Sequence, residues 1–358
     1  RNRQEQQVSG TITPDVMQEA LEAYQRVYRQ YDASFINDIP VEVFYKELAR
    51  YQPLVNNAKE AFADPKTGMA PGVMGLTAED MQNFYSQLPK RLESVIWLEQ
   101  SGKPGYEQAQ AIAQKKFDAV QKPFTYSFGV SPDAMDYQTL LSLLLTLLCA
   151  VIAAPVFASD AQTGAQDIQL CTKNGGLRLA AAKLAAAFSI TGAAYLLCGV
   201  VWTLVTNALF GWESTQTSVQ WLFSVTSLLP YTVGQMEWVM LVANFLIFFA
   251  EVAFVLMASV WAKNNLTALS VALISVVAPL IVYMVVPGSF GEWLSTLLPA
   301  GGIGLSNALL YKMISFDFLY AGGHAFFQAD VLLASAPIKI VLLVGLAAWG
   351  YLRKTKVA

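Results

Sequence analysis

Few residues in this chain of 358 have the types and spacing that chemistry needs. His324 is the only histidine, so neither a Ser/His/Asp triad nor a histidine-rich metal cluster can be built around it, and a surface or interfacial position suits it better than a catalytic one. No HExxH motif supplies the paired zinc ligands of a membrane metalloprotease. The one Gly-Lys pair, Gly102 and Lys103, has Trp97 where a P-loop requires its first glycine, so ATP chemistry must come from a partner. Cys149, Cys171 and Cys198 fall in or beside apolar stretches and read as small buried hydrophobes rather than a disulfide framework. No catalytic residue, metal ligand or cofactor bound by this chain is expected.

Two features remain. Glu251 stands near the middle of an apolar run of membrane length, where an ionised side chain must face the protein interior or a water-filled cavity. It reads either as a pathway or gating residue, or as a protonated clasp bonded to a Ser or Thr of a neighbouring helix. The second feature is the polar segment from Ser159 to Lys183, which carries Lys173, Arg178 and Lys183 between two uncharged runs. Gln166 to Leu170 is long enough for one to two helical turns, with Ile168 and Leu170 as apolar contacts, and Gly175-Gly176 can reverse the backbone before Arg178. The segment is either a docking surface or an ordinary charged loop.

The elements around these features divide the chain in two. Fourteen of the 23 Lys and Arg and 18 of the 26 Asp and Glu precede Tyr137, so residues 1–136 read as a water-exposed domain and 137–358 as membrane-embedded. The net charge of −3 comes with no basic run, which excludes a nucleic-acid interface. Five apolar spans are visible: Tyr137 to Ala158, Leu184 to Phe210, about Trp238 to Ala262, Leu266 to about Val286, and about Ile338 to Leu352. The segments 216–236 and 302–336 are apolar but interrupted, which predicts re-entrant or interfacial helices.

Positive residues cluster in alternate connections. Lys173, Arg178 and Lys183 mark one, Lys263 the next, and Arg353, Lys354 and Lys356 the C-terminal tail, whereas the opposite loops hold only Lys312. The positive-inside rule therefore predicts a cytoplasmic C-terminus and an extracytoplasmic first domain. Delivery of that domain predicts a further membrane helix ahead of Arg1, six in the intact protein, because Arg1 to Gly10 has no apolar core of its own. The first domain reads as helical. Thr13-Pro14 opens one apolar stripe and the Thr77/Asp80 capping pair another, running from Met81 to Trp97, and helical patterns continue over Val41 to about Ala63 and Tyr106 to about Gln121. No strand alternation stands out, so the expected class is an all-α polytopic membrane protein.

Asp160, Gly164, Asp167, Ile168, Leu170, Arg178 and Lys183 stand at spacings that resemble the cytoplasmic segment of ABC-2 type transporter permeases. Asp160 takes the position usual for glutamate, and Cys171-Thr-Lys-Asn-Gly-Gly replaces the usual turn before the arginine. The resemblance covers Tyr137 to Ala358 and implies that residues 159–183 hold a coupling helix docking into a separate ATP-binding subunit. It further implies two copies of that subunit with ATP and Mg, a second permease of the same or a related kind, and a bacterial cytoplasmic membrane around them. The cargo it suggests is an amphipathic peptide such as an antimicrobial peptide, a lipid-linked molecule or another hydrophobic substrate. A non-transporting receptor or immunity protein, binding a ligand through its outer domain, is the alternative from another class; an intramembrane enzyme would have to use Glu251 or His324.

Overall fold

The computed structural model describes residues 8–129 and 132–355. Arg1 to Gln7 and Lys356 of the C-terminal positive flank lie outside the described residues. In the N-terminal domain, α1 (Pro14–Gln30) begins where Thr13 Oγ1 accepts from the Val16 amide, and buries Met17, Ala20, Leu21, Tyr24, Val27 and Tyr28 along one face. The helix expected to run unbroken from Val41 is segmented. The short α2 (Val41–Val43) widens into a π-turn at Phe44–Leu48 and tightens into a 3-10 turn at Ala49–Tyr51 before α3 (Gln52–Ala61). Pro53 explains part of this, since it has no N–H to return to the Ala49 carbonyl.

The capping box forms as expected: Thr77 Oγ1 accepts from the Asp80 amide at 3.2 Å, and Asp80 Oδ2 accepts from the Thr77 amide at 2.8 Å. The stripe after it is split, however, into α4 (Ala78–Gln82) and α5 (Phe84–Gln100) at Asn83, whose amide is shared between the Glu79 and Asp80 carbonyls. Phe84, Leu88, Leu92 and Ile96 are buried, but Trp97 is half exposed and belongs to the outer face. The domain's last helix is α6 (Tyr106–Asp118).

Strands were not expected, yet two short ribbons occur among the described residues. β1 (Gly10–Thr11) pairs antiparallel with β2 (Thr125–Tyr126) and closes the domain's two ends together. Near the other terminus, β3 (Phe318–Ala321) and β4 (His324–Phe327) form a hairpin around Gly322-Gly323, both at positive φ, as a two-residue hairpin loop requires. Strands of two and four residues are too short for a period-two pattern to show.

Among the described residues, five helices are long and apolar enough to cross a membrane. The first is a pair, α7 (Pro132–Ala153) continued by α8 (Pro155–Thr163), and a short α9 (Ala165–Leu170) follows it. The others are α10 (Leu177–Phe210), α12 (Val233–Trp261), α13 (Asn265–Val285) and α16 (Gln328–Thr355), with the short α11 (Val219–Leu222), α14 (Gly288–Leu297) and α15 (Leu309–Ile314) in the connections. Several spans outrun the apolar stretches, because a helix ends where its backbone groups find other partners rather than where hydropathy falls. Arg178 and Lys183 are helical as a result. Residues 328–336, expected as part of a re-entrant segment, are the opening turns of α16, and 233–236 are the opening turn of α12.

The connections gather at two opposite ends of the bundle. At one end, 211–232 and 298–327 seat the N-terminal domain. Trp221 stacks on Phe84, with ring centres 6.1 Å apart, and meets Phe124 edge-on. Glu60 accepts from the Ser224 hydroxyl at 2.5 Å and the Val225 amide at 3.3 Å, and Gln100 donates to the Phe316 carbonyl while accepting from Tyr320. The far end holds 164–176, the turn 262–264 and the last turns of α16. This grouping matches the alternation of positive charge along the chain.

Burial in the docked domain raises the Glu60 carboxyl above its ordinary value of 4.5, although the Ser224 and Val225 bonds and Arg91 pull it partly back. An acid raised by folding holds its proton more tightly when folded, so its contribution is greatest below pH 4.5 and is lost as pH rises through the folded value. Glu60→Gln, which keeps an acceptor for Ser224, is expected to raise the unfolding temperature at pH 7 and to flatten its dependence on pH above 4.5. A lower unfolding temperature at pH 7 contradicts this.

Candidate functional site

The segment joining α7 to α10 is an elbow built by one proline and one glycine. Pro155 lacks the N–H that a continuous helix would send to Val151, and its ring disturbs the ladder there, so the span breaks at Ala154. Ser259 of α12 takes up the disturbed groups: its Oγ donates to the Ala154 carbonyl at 2.6 Å and accepts from the Phe157 and Ala158 amides at 3.0 Å each. Gly164, at φ +73°, then ends α8 and starts α9 in a conformation that a side chain would strain.

Of the seven sequence-predicted residues here, the structure brings two into contact. Lys183 of α10 pairs with Asp160 of α8, both side chains more than four-fifths buried, and also donates to the Val156 carbonyl at 3.2 Å. Arg178 does not join them; it is exposed and bonds to Asn174. Asp167 and Ile168 lie on the exposed side of α9, Ile168 at 73% exposure. Leu170, expected to act beside Ile168, packs instead against the bundle core. The two are separated because residues two apart on a helix do not share a face.

Further bonds brace the elbow from behind. Gln162 accepts from the Asn265 amide at 3.0 Å, and Ser159 meets the Asn265 side chain. The buried Tyr351 of α16 donates to the Gly175 carbonyl at 3.2 Å and lays its ring against Phe157. The surrounding spans α10, α12, α13 and α16 thus hold the elbow, while α9 packs one face inward through Gln166 and Leu170 and leaves Asp167 and Ile168 exposed.

Glu251 is fully buried in α12. Its Oε1 accepts from Ser275 of α13, and its Oε2 has no protein partner. Lys339 of α16 acts on it electrostatically, while the Lys339 ammonium donates to the Thr296 and Leu298 carbonyls at the end of α14, 3.0 Å each. The bond to a serine of a neighbouring helix that the clasp alternative calls for is present, and it leaves the choice between clasp and pathway residue open. Lys339 went unremarked, although the rule that singled out Glu251 applies equally to a lysine inside the fifth span.

A second polar cluster was also missed. Glu237, assigned from sequence to a loop, lies one turn inside α12, accepts from Asn207 of α10 at 2.7 Å, and through its carbonyl accepts from Gln138 of α7 at 3.1 Å. His324 is exposed on the hairpin beside Gln108. Among the described residues no group of three His, Cys, Asp or Glu could hold a metal ion. Comparison with known protein families, curated proteins and solved structures returns no match.

Two outcomes follow from this geometry. Lys183→Met leaves the Asp160 carboxylate buried without its partner and is expected to destabilise the protein by about 1–3 kcal/mol. The double variant Asp160→Asn/Lys183→Met should recover part of that loss in a thermal-melt double-mutant cycle; additive losses would show that the pair is not coupled. Ser259→Ala orphans the carbonyl and amides at the Pro155 break and is expected to speed hydrogen exchange at Phe157 and Ala158, with unchanged exchange as the contrary result.

Proposed function

We propose that this chain is the permease subunit of an ATP-driven ABC-2 type exporter, embedded in a bacterial cytoplasmic membrane with its N-terminal domain outside. Two such permeases, identical or related, would work with two copies of a separate ATP-binding subunit that supplies ATP and Mg chemistry. The carrying observation is the braced elbow with an exposed face at its tip: Asp160 and Lys183 are locked in the bundle, while α9 offers Asp167 and Ile168 to solvent at the end whose connections carry Lys173, Arg178 and Lys263. A docking helix needs both properties, since force applied at the tip must reach the spans rather than be lost in a slack loop. An exposed isoleucine beside a carboxylate suits a groove with an apolar floor and a basic rim.

On this reading, closure of the ATP-binding subunits moves α9, and the movement passes through the Asp160–Lys183 pair into α8 and α10. ATP favours one state only through contacts that differ between the states. The N-terminal domain, seated on 211–232 and 298–327, receives or releases an amphipathic or lipid-linked cargo on the opposite side.

The test is purification from native membranes with retention of the partner. A stoichiometric ATP-binding subunit is expected with the natural chain and is expected to fall by roughly tenfold with Ile168→Asp, the loss of one well-buried apolar anchor and the burial of a charge. Leu170 is unsuitable for this purpose because it is partly buried against the bundle core. Recovery of the intact chain with no ATPase subunit overturns the proposal.

A further inference from the structure

At the domain end of the bundle a cavity of about 620 Å³ opens between α7, α13 and the connection that carries α15. That volume suits a head group with a few carbons attached. Its wall is uneven in polarity. Asp136, Lys312 and Asp317 supply charge; Tyr137, Tyr283 and Tyr311 supply rings; Leu140 and Leu305 add apolar surface beside three hydroxyl residues.

Charge balance on this wall decides what it can hold. Lys312 is nearly fully buried and already committed: its Nζ lies 2.9 Å from Asp317 Oδ2 and 4.6 Å from the centre of the Tyr283 ring. It is therefore a poor anchor for an incoming anion. Among the described residues Asp136 forms no ion pair, and its carboxylate accepts from the neutral Tyr311 phenol at 2.8 Å. Burial, reinforced by the Asp136 bond and charge, raises that phenol to about 12, so it remains a donor at neutral pH. Thr139 adds a wall residue whose hydroxyl is buried without a protein partner.

One uncompensated carboxylate among three tyrosine rings selects a cation, because ring faces and carboxylate attract the same charge. The Lys312 ammonium over Tyr283 shows that this wall already accommodates such a group. Below the cavity, Leu140, Leu144 and Leu148 form a stripe at i, i+4 spacing on α7, exposed by 38%, 49% and 62%. An apolar chain leaving the cavity would lie along it.

We propose that this cavity is a binding site for an amphiphile with a single ammonium head, the head at Asp136 among Tyr137, Tyr283 and Tyr311, and the hydrocarbon along Leu140, Leu144 and Leu148. The argument rests on the cavity wall alone, so it stands or falls separately from the transporter reading.

The test uses the full chain in a neutral maltoside detergent and a dodecylamine carrying a photoreactive diazirine at mid-chain, with the matched alcohol as control. Saturable labelling of residues 140–148, at least tenfold favoured over the alcohol, is expected, and Asp136→Asn should remove that preference. The asparagine oxygen still accepts from Tyr311, so folding is protected; a monodisperse elution profile and an unchanged melt verify this. Tyr283→Leu provides a second folded variant with weakened binding expected. Amine and alcohol labelling the lipid-facing helices alike, or an unchanged preference in Asp136→Asn, overturns the proposal. Competition then identifies the source of the head group: displacement of the amine by phosphatidylethanolamine but not phosphatidylglycerol assigns the site to a membrane lipid, and displacement by neither, with the saturable amine labelling intact, assigns it to a free amphiphile.

Discussion

A backbone group in hydrocarbon has no water to fall back on, and the architecture of this bundle follows from how it meets that constraint at Pro155. The proline breaks the first span and leaves carbonyl and amide groups that must be bonded by another element. Ser259 serves three of them at once through a single hydroxyl. That ties α8 to α12 at a fixed height and angle, and it fixes where Gly164 can turn the chain. From α8, held against α12 and α13, Asp160 reaches Lys183 of α10. Without the Ser259 bridge, the elbow would keep its Asn265, Lys183 and Tyr351 braces but leave the backbone groups at the break unbonded.

The same helix that repairs the break also organises the rest. α12 is the most enclosed span, with two-thirds of its most apolar window buried against 17% for α16. Along it stand Glu237, Glu251 and Ser259, each bonded to a different neighbour: α10, α13 and α8 respectively. At 1.5 Å per residue these three points cover about 33 Å, the thickness of a bilayer core. Apolar packing alone gives helices in lipid little reason to prefer one register, and polar bonds at three heights supply it. Glu251 is the middle point of that series, with one oxygen engaged and one left over, beside a lysine that is itself occupied at the end of α14.

Much of this was legible in the residues. The five spans, the two-end grouping of loops, the capping box at Thr77 and the short helix after Gly164 each carry a local signal: hydropathy over a membrane length, charge in alternate loops, a Thr/Asp pair, a glycine before an amphipathic turn. What escaped reading depended on partners far apart in the chain. Ser259 carries no mark that it will serve Pro155 a hundred residues earlier, and Asn207 none that it will meet Glu237. Leu170 and Ile168 look equivalent in composition; only the direction in which the bundle lies separates a core residue from an exposed one. The ribbon of β1 and β2 was invisible because two residues cannot display a period of two. Lys339 and the Gly322-Gly323 turn, by contrast, had local signals as clear as those that were used.

The N-terminal domain adds a mechanical condition to any function of the bundle. It is not tethered by a single linker: Trp221 is stacked against Phe84, Glu60 holds the Ser224 turn, Gln100 bonds at both edges of the 316–320 stretch, and Lys116 pairs with Asp330 at 2.9 Å. These contacts reach the connection before α12, the hairpin before α16 and the first turn of α16 itself. A rotation of α12 or α16 would therefore carry the domain with it or have to break several bonds together. The cavity between α7, α13 and the 305–317 segment lies across this coupled group, with Asp136 on one side and Tyr311 and Lys312 on the other. The Asp136–Tyr311 bond spans it, so a shift of the domain-bearing 305–317 connection relative to α7 acts on that bond and on the cavity's width together.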